Sequence, residues 1–121
     1  LSADNNISVI TPEYNTLGQI MFRDNKQRMI ENQQVLILAA SVTTGKTISK
    51  AIESILYYGG TVCGVSAIFS AVTKVAGMEI KTIFTSKDIP DYRAYEPSDC
   101  PMCKAGQRVE AIVNSFGYSK L

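Results

Sequence analysis

The feature that most constrains this chain is residues 35–47, where an aliphatic run changes abruptly into hydroxyl residues and a glycine. Four consecutive aliphatic residues, two of them β-branched, predict a short parallel strand that is buried on both faces. Gly45 allows a tight turn, and the first N–H groups of a following helix have no partner within it, so an anion site is predicted. We predict phosphate binding by these residues: Ser41, Val42, Thr43, Thr44, Gly45, Lys46 and Thr47.

The sequence after this turn predicts a βαβ unit. Residues 47–58 alternate aliphatic and polar side chains at the spacing of an amphipathic helix, and Gly59 and Gly60 end it. Residues 61–69 form a second aliphatic run, so the two strands should lie parallel with a right-handed crossover. Residues 79–84 predict a further strand with one face in water. The predicted fold class is α/β, with a mainly parallel sheet, flanking helices and a Rossmann-like core.

The flanking segments carry weaker patterns. Short strands are predicted at residues 7–10 and 19–22, and a polar surface loop or short helix at residues 23–32. A turn or short helix is predicted at residues 72–78, a loop at residues 87–98 and one helical turn at residues 109–113.

Composition bounds the size and the partners of the chain. With 121 residues, of which 45% are hydrophobic, we expect one domain over residues 1–121 with a small core. A net charge of +1 offers no field for nucleic acid or an anionic membrane. No apolar run is long enough to cross a bilayer and no leader opens the chain, so we expect a cytoplasmic protein. Because the first residue is Leu1 rather than Met, we expect the C-terminal part, or a processed product, of a longer chain.

The absence of histidine and the odd number of cysteines limit the possible chemistry. Without histidine the chain cannot form Ser-His or Cys-His nucleophile pairs or His-zinc sites. Cys63, Cys100 and Cys103 are expected to be reduced thiols. The Cys-x-x-Cys pair could hold zinc, carry redox chemistry or close a structural hairpin. The structural hairpin is the favoured expectation, ahead of both zinc and redox chemistry; zinc needs four ligands and the chain adds only Cys63.

Several segments resemble one enzyme family. The strand, the Thr-Thr-Gly turn and the helix of residues 35–58 resemble the phosphoribosyl-diphosphate signature of the type I phosphoribosyltransferases, most closely their orotate branch. Two further segments of this chain resemble the orotate branch. The end of its helix resembles Tyr57-Tyr58-Gly59-Gly60, and its last segment resembles Cys100-Pro101-Met102-Cys103-Lys104. The chain departs from the family at Ala39 and Ala40, where the family carries two adjacent acidic residues.

The resemblance implies a function and a set of ligands. It implies a phosphoribosyltransferase-like fold that binds the 5-phosphate of phosphoribosyl diphosphate together with magnesium. It further implies transfer of the phosphoribosyl group to orotate in pyrimidine nucleotide synthesis, and a homodimer. The family has a mobile basic loop, for which the candidates here are Arg23, Lys26 and Arg28; a solvated charged loop is the plainer interpretation of these residues.

Ala39 and Ala40 count against full activity. In the family the paired carboxylates hold the ribose hydroxyls and stabilise positive charge at the reacting carbon, and each lost interaction costs about 2–4 kcal/mol. We therefore expect weak or absent turnover in this chain alone, and the catalytic residues are unknown. The alternative function is a non-catalytic module that binds a phosphoribosyl compound or nucleotide and acts in regulation or assembly.

A nucleoside-triphosphate P-loop is a rival interpretation of the same turn. Residues 40–47 match its pattern except that Ala40 replaces the first glycine. The second aliphatic strand ends without an aspartate to hold magnesium, which favours the phosphoribosyltransferase interpretation.

Self-association is expected from the small size of the chain. Residues 35–38 and 62–69 should leave an apolar patch exposed, and such patches mark interfaces. In a dimer, Cys100 and Cys103 could share a thiolate site with their copies.

Overall fold

The computed structural model describes residues 2–96, 98–114 and 117–121. The helices in that part of the chain are α1 (Ser2–Asn5), α2 (Asp24–Gln27), α3 (Lys46–Tyr57) and α4 (Pro101–Lys104). The strands are β1 (Glu13–Tyr14), β2 (Ile20–Met21), β3 (Gln34–Val42), β4 (Thr61–Ser70), β5 (Lys74–Val75), β6 (Met78–Thr85), β7 (Ala111–Asn114) and β8 (Gly117–Lys120).

A four-stranded sheet in the order β3-β4-β6-β5 forms the centre of the fold. β3 pairs with β4 in parallel, with Leu38 opposite Ser66, and β4 pairs with β6 in parallel, with Ser66 opposite Lys81. The two-residue strand β5 returns antiparallel to β6. The predicted α/β class with a mainly parallel sheet is confirmed, and β3, α3 and β4 form the predicted βαβ unit.

α3 covers one face of the sheet because its aliphatic side chains recur at helical spacing. Ile48, Ile52 and Ile55 are buried, and the first two pack with Val65 and other sheet residues in one cluster. Burial of each such side chain contributes about 1.5–3 kcal/mol. The helix begins and ends one residue earlier than predicted. Gly59 follows it in the expected left-handed conformation, with φ +78°.

A second buried cluster joins the C-terminal half of α3 to the β1–β2 hairpin, and its members are Ile20, Phe22, Ile30 and Ile55. Phe22 packs edge-on against Tyr58, with ring centroids 5.8 Å apart. The Ser54 hydroxyl donates a hydrogen bond of 3.1 Å to the carbonyl of Ile20. The predicted strand at residues 19–22 and the short helix within residues 23–32 are confirmed as β2 and α2.

The face of the sheet opposite α3, here called the open face, exposes large apolar side chains: Leu36, Leu38, Ile68 and Ile83. Val35 and Ile37 pack toward α3, so the alternation of a strand directs Leu36 and Leu38 the other way. Leu38 is 74% exposed and Ile83 72%. The prediction that this strand is buried on both faces is wrong for this chain, because the described residues pack a helix on one side only. The expected exposed apolar patch is present.

Three flanking predictions differ from the structure. Residues 7–10 form no strand, because the hairpin partner of β2 is β1, which follows Pro12. Of the two alternatives predicted for residues 72–78, the turn is present at residues 76–77, but it joins the unpredicted strand β5 to β6, and no helix forms there. Residues 111–114 form β7, in a hairpin with β8, rather than a helical turn, because Ile112 and Val113 are β-branched. The described part of residues 87–98 is irregular, as predicted, and Pro97 lies outside the described residues.

None of the helices formed by residues 2–96, 98–114 and 117–121 has the length and apolar character needed to span a bilayer.

Candidate functional site

The candidate site lies where β3 ends and α3 begins. Residues 43–45 form the connection, here called the anion turn, and Gly45 is the N-cap of α3 with φ +80° and ψ −1°. This left-handed conformation is open to glycine at little cost and lets the chain reverse within three residues. The first helical hydrogen bond, of 2.9 Å, runs from the Ser49 N–H to the Gly45 carbonyl.

Val75 of the antiparallel strand β5 packs directly against the anion turn. A Cβ added to Gly45 would lie 2.4 Å from the Cγ2 atom of Val75, so no side chain fits there without displacement. Gly45 is therefore required twice, by its backbone conformation and by this contact. Val75 could not be predicted from the sequence, because nothing in the local pattern shows that a two-residue strand folds back onto the turn.

The anion turn carries several backbone donors that have no partner among the described residues. Within the described part of the chain, the N–H groups of Thr44, Gly45 and Thr47 have no hydrogen-bond acceptor. The Lys46 N–H makes only a long contact of 3.5 Å with the Thr44 hydroxyl. Unpaired N–H groups at the start of a twelve-residue helix, together with the helix dipole, favour an anion.

Two of the predicted phosphate-binding residues belong to the strand rather than to the turn. β3 continues through Ser41 to Val42. The Val42 side chain is 3% exposed in the core beneath α3, and its carbonyl accepts the N–H of Ala71. Thr43, Thr44, Lys46 and Thr47 are exposed, whereas Gly45 is buried, so the accessible part of the predicted set is Thr43, Thr44 and the first helical residues.

An ion pair connects the anion turn to the loop that follows β6. The Lys46 ammonium lies 2.5 Å from the Glu96 carboxylate, and both side chains are at least half exposed. An exposed pair of this kind contributes about 0–1 kcal/mol, so an incoming anion can compete with Glu96 for Lys46. The loop is further anchored by Tyr92, whose ring packs 4.9 Å from that of Phe69. Sequence reasoning missed Glu96, which is fifty residues from Lys46.

A depression of about 600 Å³ on the open face adjoins the C-terminal part of β3. Its lining includes Ala39 and Ala40 together with Ser66 and Lys81. Ala40 is exposed, whereas Ala39 is half-buried and packs toward the core cluster. Neither offers an oxygen to a ribose hydroxyl, so the family's acidic pair has no replacement at these two positions.

The three basic-loop candidates are engaged elsewhere or exposed. Arg23 Nε lies 2.9 Å from the Glu13 carboxylate, and Lys26 Nζ donates to the Thr11 carbonyl at 3.0 Å. The hydrogen bond from Arg23 is the largest of the effects that lower the pKa of Glu13. Arg28 is exposed just after α2. No hydrogen bond or ion pair of the described residues joins any of the three to the anion turn.

The Cys-x-x-Cys pair lies in and beside α4. Cys100 precedes the helix and is half-buried, whereas Cys103 lies within it and is exposed. Cys63 lies in β4, as predicted, and its side chain is exposed.

The described residues do not fit a protein-held metal site. Among residues 2–96, 98–114 and 117–121, no group of three or more Cys, Asp or Glu side chains is placed to hold an ion. Ala39 and Ala40 supply no oxygen ligand beside the anion turn, and Glu96 is paired with Lys46. We therefore derive no step through magnesium or zinc.

Among the curated proteins similar to this chain are three that carry the name orotate phosphoribosyltransferase. The protein of Pelotomaculum thermopropionicum is 28% identical over 76 residues, which are 61% of this chain and 38% of the relative. That of Chlorobaculum parvum is 26% identical over 83 residues, 66% of this chain and 40% of the relative. That of Caldicellulosiruptor bescii is 31% identical over 78 residues, 63% of this chain and 39% of the relative. No protein-family model matches the chain.

These similarities are partial in both directions. The chain spans only 38%, 40% and 39% of the length of the three relatives. They support a phosphoribosyltransferase-like family for this chain, in agreement with the strand, turn and helix of residues 35–58. For this chain, the activity that gives the relatives their name is a proposal.

Proposed function

We propose that this chain is the phosphate-binding core of a phosphoribosyltransferase-like protein. Its anion turn and the start of α3 bind the 5-phosphate of a phosphoribosyl compound, with the N–H groups of Thr44, Gly45 and Thr47 as donors. Lys46 adds a positive charge once it leaves Glu96. The compound that the similarity to orotate phosphoribosyltransferases favours is phosphoribosyl diphosphate.

The observation that carries this proposal is the geometry of the anion turn. Gly45 has φ +80° and is buried against Val75, and unpaired N–H groups lie at the head of a twelve-residue helix between the exposed residues Thr44 and Thr47. A backbone cradle of this kind recognises a phosphate by shape and charge and does not require a carboxylate. It therefore remains usable although Ala39 and Ala40 replace acidic residues.

For the chemical step we propose an orotate-type phosphoribosyl transfer that is weak or absent in this chain alone. The transfer passes through positive charge at the ribose carbon, and without carboxylates beside it the chain can position the substrate but cannot stabilise that charge. Magnesium would have to arrive with the diphosphate, because the described residues do not hold it. Binding would take place in a homodimer, as in the sequence-based expectation.

A second candidate function is favoured by the same two alanines. A module that binds a phosphorylated ribose or a nucleotide without turning it over needs the anion turn and has no use for the acidic pair. Such a protein would act in regulation or assembly. Turnover distinguishes the two candidates, since both bind the phosphate.

Isothermal titration with ribose 5-phosphate tests the binding proposal. The unmodified chain should bind, and Gly45→Val should not, because a β-branched side chain blocks both the turn and the approach of the anion. Gly18→Val is the matched control: Gly18 has φ +70° and no atom within 4 Å of an added Cβ, so it strains the backbone without touching the site. Equal heats for the unmodified chain and folded Gly45→Val would refute the proposal. Lys46→Gln, which leaves the turn intact, should bind several-fold more weakly.

Release of diphosphate from phosphoribosyl diphosphate and orotate separates the enzyme from the binding module. We expect little or no release by the unmodified chain, and turnover at a rate of about 1 per second or more would contradict this expectation. Ala40→Asp places a carboxylate at an exposed position beside the turn and should raise the affinity for the ribose. Ala39→Asp serves as the contrasting variant, because a carboxylate there is half-buried and should destabilise the fold.

A further inference from the structure

Cys100 and Cys103 form a thiol pair that the proposed function leaves without a role. Cys100 lies at the boundary of α4 in extended backbone, with φ −64° and ψ 116°, and Pro101 opens the helix. Cys103 follows three residues later, the spacing that places two side chains on the same side of a helical turn. No disulfide joins the two residues, and the Cys103 side chain lies close enough to the Cys100 sulfur to lower its pKa.

The backbone of α4 does not depend on this contact. The Lys104 N–H donates to the Cys100 carbonyl at 3.0 Å, and the Ala105 N–H donates to the Pro101 carbonyl at 2.9 Å. Cys103 is exposed and Cys100 half-buried, so a small molecule can reach the pair. A pair that served only to hold the turn would duplicate hydrogen bonds that are already made.

The two thiols have opposite electrostatic surroundings. The backbone N–H of Cys103 has the largest effect in lowering the pKa of Cys100, and the Cys103 thiol adds to it. The hydrogen bond to Cys100, followed by the negative charge on that sulfur, raises the pKa of Cys103. The adjacent charges of Asp99 and Lys104 face each other at 3.5 Å and largely offset one another. The pKa of Cys100 is thus the lower of the two.

We propose that Cys100 and Cys103 are a reversible dithiol–disulfide site that is oxidised by a small-molecule disulfide of the glutathione class. The Cys100 thiolate attacks one sulfur of the oxidant, a mixed disulfide forms, and the first small thiol leaves after taking up a proton. Cys103 then gives up its proton and attacks the Cys100 sulfur, and the second small thiol leaves. Two protein thiols are oxidised by two electrons, and one small disulfide is reduced to two thiols. This site is independent of the proposed phosphate binding.

Intact-mass measurement after treatment with oxidised glutathione tests the site. The variant Cys63→Ser removes the third thiol, which is exposed in β4 and away from α4. In this variant the protein should lose two hydrogens, keep no glutathione, lose both thiols by titration and regain them with dithiothreitol. Stable glutathione adducts on the pair, or two thiols that remain reduced, would overturn the proposal.

Single substitutions test the order of attack. In the Cys63→Ser background, Cys103→Ser should retain one glutathione on Cys100, because no resolving thiol is present. Cys100→Ser should form its adduct at least about three-fold more slowly at neutral pH, because the backbone N–H that lowers the pKa of Cys100 does not act on Cys103. Equal rates for the two variants would refute the assigned order. Peptide mapping of the oxidised unmodified chain gives the same answer without any substitution, since it shows whether Cys100 is joined to Cys103 or to Cys63.

Discussion

Replacing Gly45 with alanine should lower the free energy of unfolding by about 2–5 kcal/mol, as the sum of two separate costs. The first cost is conformational: the residue has φ +80°, and an L-residue in the left-handed region costs about 1–2 kcal/mol. The second is steric: the new Cβ would lie 2.4 Å from the Cγ2 atom of Val75, and forcing a methyl group into a packed site costs about 1–3 kcal/mol.

Two further variants separate these costs. Gly18→Ala should lose only the conformational part, because φ is +70° there and an added Cβ meets no atom within 4 Å. Val75→Ala removes the clashing methyl groups, so in that background Gly45→Ala should lose only about 1–2 kcal/mol. The coupling energy between Gly45 and Val75 in the double-mutant cycle should then be about 1–3 kcal/mol.

Urea denaturation followed by circular dichroism, at one fixed protein concentration, measures all four free energies of unfolding in the Gly45–Val75 cycle and that of Gly18→Ala. Equal losses of free energy for Gly45→Ala and Gly18→Ala would refute the steric cost, since the contact with Val75 would then cost nothing. An equal loss for Gly45→Ala in the Val75→Ala background and in the unmodified chain would refute it as well.

Three other changes have expected outcomes. Glu96→Gln should raise the affinity for ribose 5-phosphate by about two- to five-fold in calorimetry, because Lys46 loses a competing anion; an unchanged or lower affinity would contradict the competition. The N–H of Thr85, and then its hydroxyl, lower the pKa of Asp88, so this carboxylate stabilises the fold above its unfolded-state pKa and loses that effect as the pH falls through its folded-state pKa. Asp88→Asn should therefore lower the denaturation midpoint near neutral pH but not at acid pH. An equal lowering of the midpoint at neutral and at acid pH would contradict this explanation. The unmodified chain should sediment as a dimer at micromolar concentration, and Leu38→Lys, on the open face, should sediment as a monomer. An unmodified chain that sediments as a monomer would refute self-association. If a chelator leaves the dimer unchanged, only the idea of a metal shared between the two copies is refuted.

The sequence alone predicted the part of the fold in which local pattern and packing agree. In residues 34–70 the aliphatic runs, the helical spacing and Gly59 all indicate the same structure, so β3, α3 and β4 could be placed. Residues 7–10 show the limit of this reasoning, because an alternating pattern forms a strand only where a partner is within reach. The strand β7 was missed for a related reason, since its hairpin partner β8 was not recognised.

The candidate site was predicted only in its local part. The anion turn follows from Thr43, Thr44 and Gly45, which are adjacent in sequence. Val75 and Glu96 reach the turn through the return of the chain after β4 and β6, and no periodicity carries that information. The predicted basic loop does not lie at the anion turn, because Arg23 and Lys26 form ion pairs with the nearby residue Glu13.

The strand order β3-β4-β6-β5 makes β3 a border of the sheet. No strand in the described part of the chain pairs with its outer side, so alternate N–H and C=O groups along nine residues point outward there. At the opposite border, β5 and the turn at Ala76 and Gly77 already cover the start of β6. Because β5 pairs with only the first two residues of β6, β3 has the longer unpaired edge of the two borders. A strand added beside β3 would place its side chains next to Leu36 and Leu38 and so enlarge the apolar open face, which a second layer of helices would cover in a sheet that is buried on both sides.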